Sequence, residues 1–74
     1  MYHTLSLAVI QDIIASATTE FSRESRERAL SAALDFFQCV LEAEALACQV
    51  HPQHLALRGA VAELEQTLAL MKTE

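Results

Sequence analysis

The stretch from Ala29 to Pro52, ALSAALDFFQCVLEAEALACQVHP, decides the fold. It holds no Gly and no Pro before its last residue, and Ala, Leu and Glu dominate it, so helix is the expected state. Two apolar stripes run along it at helical spacing. Leu30, Leu34, Phe37, Leu41, Glu44 and Cys48 step by four and three, and so do Ala29, Ala33, Phe36, Val40, Ala43 and Ala47. The first stripe is bulky. The second is mostly small, which permits another backbone to approach closely. A helix apolar over so wide an arc has to be covered on more than one side. His51-Pro52 ends the run, because proline belongs in the first turn of a helix and disfavours the α conformation of the residue before it. A tight helix–helix turn is therefore expected at residues 50–53.

Beyond that turn, Leu57, Val61, Leu64, Leu68 and Met71 step by four, three, four and three, a seam of the coiled-coil type. Arg58, Glu65, Gln66 and Thr73 fall on the opposite face, and Leu55 and Leu70 lie off the seam. Before Ala29, Ser22 is the expected N-cap of the long helix, with Glu24 in its first turn where the helix dipole favours an anion. Earlier still, Leu7, Ile10, Ile13, Ile14, Ala17 and Phe21 share one arc of a helix that Thr4 is expected to cap. Leu5, Leu7 and Val9 also alternate as in a strand, but a lone strand would find no partner here. The spacing thus predicts an all-α fold in one domain spanning 1–74. It is an α-helical hairpin with a shorter N-terminal helix: three helices at about 4–21, 23–49 and 52–72, with coiled-coil-like packing.

Composition narrows the function classes. Of the 74 residues 53% are hydrophobic and 20% charged, too apolar for a disordered chain. One Gly and one Pro leave little turn chemistry for an all-β fold. Five Lys and Arg stand against ten Asp and Glu, a net charge of −5 with no basic stripe, so nucleic acid is not an expected partner. No apolar run approaches the ~20 residues of a membrane span. Leu5 to Ile10 is mostly apolar, but no Lys or Arg precedes it and Gln11-Asp12 interrupts it, unlike a signal peptide. A cytoplasmic location is expected. Cys39 and Cys48 on one helix would lie ~13 Å apart, too far for a disulfide, and read as small buried apolar residues.

Few residues suggest chemistry. Cys48, His51 and His54 recur every three positions with Glu44 one turn earlier, a ligand-like spacing, but Pro52 breaks the helix such a metal site would need. No metal and no cofactor is expected. Glu44 interrupts the bulky stripe and is expected to reach water near the open end of the hairpin, or to meet a basic residue of a partner. No nucleophile–base set, phosphate loop or carboxylate pair can be assembled, and so small a hairpin is expected to lack a pocket of the usual ~300 Å³ or more. Arg23-Glu24-Ser25-Arg26-Glu27-Arg28 reads as a solvated face with local ion pairs. No catalytic residue is expected.

What rises above this background is the surplus of apolar positions. Ala33, Phe36, Val40, Ala43 and Ala47 form a face that the third helix cannot cover along with the first stripe, and they are the candidate partner-binding residues. Leu7, Ile10, Ile14 and Phe21 are the candidates to cover it from within the chain.

The short leading helix, the long Ala/Leu-rich helix, the Pro52 turn and a closing helix with Leu64-Glu65-Gln66-Thr67-Leu68-Ala69-Leu70 resemble the small co-chaperones of type III secretion needle subunits, the YscE/PscE-type family. The similarity is clearest from Cys48 to Met71. It implies a non-enzymatic cytoplasmic protein that binds a TPR-like chaperone and keeps the needle subunit from polymerising. Two readings from other classes stand beside it. One is a small acidic inhibitor, such as an antitoxin, an immunity protein or a phage anti-defence protein. The other is a self-assembling hairpin homodimer.

Overall fold

In a computed structural model, residues 5–73 form three helices and, among these described residues, no strand. Helix α1 spans Leu7–Thr18, α2 spans Arg23–Ala47 and α3 spans His54–Thr73. The molecule measures 39 × 21 × 15 Å. Its long dimension is the length of α2, since 25 residues at ~1.5 Å each give about 37 Å.

Each helix starts and stops for a local reason. Ser6 caps α1, its Oγ accepting the Val9 N–H at 3.3 Å. Leu5 and Ile10, on either side of that cap, are both buried, the arrangement of a hydrophobic staple. The expected cap Thr4 lies outside the described residues. Helix α1 ends earlier than the apolar spacing suggests, at Thr18 with Thr19 as its C-cap, and two threonine hydroxyls add bonds to its last carbonyls. The Thr18 hydroxyl donates to Ala15 O at 2.9 Å, and the Thr19 hydroxyl donates to Ser16 O at 3.1 Å. Phe21 therefore falls outside the helix and is fully exposed, so it covers nothing. Ser22 caps α2 as expected, accepting the Ser25 N–H at 3.0 Å.

The end of α2 is a Schellman motif. Cys48 adopts the left-handed conformation, with φ 54° and ψ 36°. Its N–H donates to Ala45 O and that of Gln49 to Glu44 O, both at 3.2 Å, which satisfies two of the orphan carbonyls. Cys48 was expected at a buried stripe position. The left-handed twist instead turns it into solvent, and Cys39 is exposed as well.

The core is one cluster. Leu30, Ala33, Phe37 and Val40 of α2 meet Leu57, Ala60, Leu64 and Leu68 of α3, with Ile10 and Ala17 of α1 beside them. Phe37 and Leu57 are wholly buried. Leu34, Leu41, Val61 and Met71 pack at the margin of this cluster, half-buried. Helix α1 lies chiefly on α2 and touches α3 less.

Candidate functional site

Two places gather polar or exposed groups: the turn between α2 and α3, and the crevice between α1 and α2. At the turn, Glu44 is buried, contrary to the solvated or partner-facing position expected of it. Its Oε2 accepts the His51 N–H at 3.0 Å, and its Oε1 lies 2.6 Å from His54 Nδ1, a close contact without hydrogen-bond alignment. His51 is also buried, and its Nδ1 accepts the Gln53 N–H at 2.9 Å. Both side chains thus satisfy backbone amides that enter α3, where the helix dipole favours the Glu44 carboxylate. Cys48 points away. Among the described residues no group of three or more His, Cys, Asp or Glu can hold a metal ion. This cluster closes the hairpin.

At the other end of α2 the arginine run is more specific than a solvated face. Arg26 Nη1 donates to Glu20 O at 3.1 Å and fixes the turn between α1 and α2. Arg23 Nη2 donates to Met71 O, reaching across to the end of α3. Arg28 keeps to the expected local pairing, with Glu24 at 3.2 Å on an exposed surface.

The crevice between α1 and α2 is a groove of about 590 Å³, larger than the pocket-free hairpin expected from size alone. It exists because α2 presents Ala29, Ala32 and Ala33 where α1 passes, and methyl groups leave the space between the two backbones unfilled. Phe36 lines it one turn further along α2, 46% exposed, with its ring centroid 5.7 Å from that of buried Phe37. From α1, Val9, Ile13 and Ala17 line the apolar part, while Asp12 and Ser16, with Glu20 from the turn that follows, add polar groups. A smaller hollow of about 330 Å³ shares Glu20, Ala29 and Ala32 and continues to Ser25 and Arg28.

Of the five candidate partner-binding residues, Ala33 and Phe36 line this groove. Val40 is buried by the chain itself and Ala33 shows only a sliver of its surface at the groove floor, and Ile10, Ala17 and the half-buried Ile13 and Ile14 supply the α1 side of that packing. Ala43 is half-buried and Ala47 is exposed at the last residue of α2, both outside the groove. Reading the second stripe alone missed Val9, Asp12, Ser16 and Glu20, and Ala32 on α2 itself. Their signal was present, since Asp12, Ser16 and Glu20 recur every four residues beside the apolar arc of α1. A second exposed apolar group sits at the hairpin tip, where Leu46, Val50 and Leu55 are 87%, 76% and 81% exposed.

The chain matches no family model, no curated protein and no solved structure.

Proposed function

We propose that the protein is a non-enzymatic binding module that takes a helix of another protein into the groove between α1 and α2. The observation that carries this reading is the groove itself, an apolar trough floored by alanines with the half-exposed Phe36 in its wall. Two helices side by side offer no unpaired strand edge for an extended peptide to join. Their small-residue floor suits the side-chain ridge of a third helix. The polar cluster at Glu44, His51 and His54 is engaged in closing the hairpin, which supports a role without catalysis.

The particular form we favour is the one suggested by the resemblance: a cytoplasmic co-chaperone for type III secretion. In it a TPR-like chaperone, itself built from helix pairs, supplies the docked helix, and the complex keeps the needle subunit from polymerising. The test is to recover the partner from the native host, identify it by mass, and measure two variants against it. Phe36→Ala is expected to weaken binding by about thirtyfold or more, as loss of an aromatic anchor does, with little change in melting temperature. Val40→Ala is expected to lower the melting temperature and leave the affinity unchanged. The reverse pattern, Phe36→Ala unfolding the chain while the remaining folded protein binds normally, would overturn the groove as the docking site.

A further inference from the structure

The groove has two unlike walls, and we infer that they select its occupant: an amphipathic helix of another protein that carries Lys or Arg along one flank. This rests on the docking reading above and adds the chemistry of the partner. Asp12, Ser16 and Glu20 form the wall on the α1 side. The ion pairs among the described residues lie elsewhere, at Arg28–Glu24 and His54–Glu44, so neither rim carboxylate is held in an ion pair. Glu20 is held in place through its backbone, because Arg26 donates to its carbonyl oxygen, and its side chain stays available to the groove. The α2 wall, formed by Ala29, Ala32, Ala33 and Phe36, carries no charge.

A cation on the incoming helix therefore gains on one flank only. Asp12 lies on α1 and Glu20 in the turn that follows it, where its N–H still donates to Ala17 O at 3.4 Å; at helical rise eight positions make about 12 Å, a span that basic residues at i and i+7 or i+8 match. Arg28 shares with Glu20 the hollow that continues the groove, so its guanidinium offsets part of the Glu20 charge on that side and disfavours a further cation in the hollow. A second copy of this chain fits less well. Two-fold pairing of the groove with itself would bring the unpaired rim carboxylates of both copies into one seam, in a chain of net charge −5.

The test is a displayed library of amphipathic helical peptides with a fixed apolar stripe and flanks randomised over Lys, Arg, Gln, Ser and Glu, selected on the full chain. The expected result is enrichment of Lys or Arg on one flank at a spacing of seven or eight. Amide shifts on binding should centre on Ala17, Ala29 and Ala32. The selected peptides should bind the double variant Asp12→Asn, Glu20→Gln roughly 2- to 30-fold more weakly, the range for two exposed charge pairs. Both positions are exposed, so folding is unaffected by the exchange. Peptides enriched without a charged flank, or bound equally by the double variant, overturn the charge selection and leave helix docking standing. No enrichment at all, or shifts centred on Leu46, Val50 and Leu55, overturns the docking reading with it. Sedimentation showing a dimer that the double variant tightens would assign the groove to a second copy and overturn the inference.

Discussion

Cys48 holds a backbone conformation that costs a residue with a Cβ about 1 kcal/mol and costs glycine little. Its side chain is exposed, so nothing in the core opposes the change to glycine. Cys48→Gly is expected to stabilise the protein by about 1 kcal/mol, a rise of about 4–8 °C in melting temperature for a domain this size. A lower melting temperature would show that the sulfur makes a contact that matters. Glu44 is the opposite case. Its carboxylate accepts a buried amide proton, and Glu44→Ala would leave the His51 N–H unsatisfied at a cost of about 1–3 kcal/mol. Glu44→Gln keeps an oxygen acceptor and is expected to lose less. Equal losses for the two variants in chemical denaturation would mean that the charge, and not the acceptor, is what the turn requires. Neither role was legible in the sequence. A cysteine at a stripe position reads as core, and an acid at a stripe position reads as a defect, because periodicity says nothing about the left-handed twist that turns one out and folds the turn back onto the other.

Among the elements, the seam of α3 was legible and its consequences are unequal. Leu64 is 1% exposed, while Leu41 of the facing stripe is only half-buried. Leu64→Ala is expected to cost about 2–5 kcal/mol, a large share of the stability of so small a domain, and Leu41→Ala distinctly less. Similar denaturation midpoints for the two variants would contradict this placement of the core. The second and third helices follow from apolar spacing, the Ser22 cap and the Pro52 turn, each a strong local signal. The first was overextended at both ends, since spacing counted Phe21 as helical while the chain leaves the helix after Thr18, and its start is capped at Ser6. The groove was only half legible for a related reason. The alanine stripe announced a close approach of another backbone, and α1 does approach there, yet whether alanines end as tight packing or as an open trough depends on the distance at which Ile10 and Ala17 seat α1. No property of single residues sets that distance.

On the scale of the whole molecule, α2 grips α3 at both ends with side chains of opposite sign. Glu44 meets the amide end of α3 through His51, and Arg23 meets its carbonyl end at Met71, so each charge opposes the sign of the helix terminus it touches. A leucine seam alone is a poor ruler. Its side chains repeat every three or four residues, and sliding α3 by one turn, about 5.4 Å, would set another apolar residue in each place, Val61 for Leu57 or Leu68 for Leu64. The two charged grips do not repeat. A one-turn slip would take the carboxylate off its amide and the guanidinium off its carbonyl in the same movement. Register is thus read twice, at points 21 positions apart along α2, and an error at one end cannot be hidden at the other. The apolar seam supplies the adhesion between the two helices, and the charges supply the vernier that decides which of several apolar alignments is occupied.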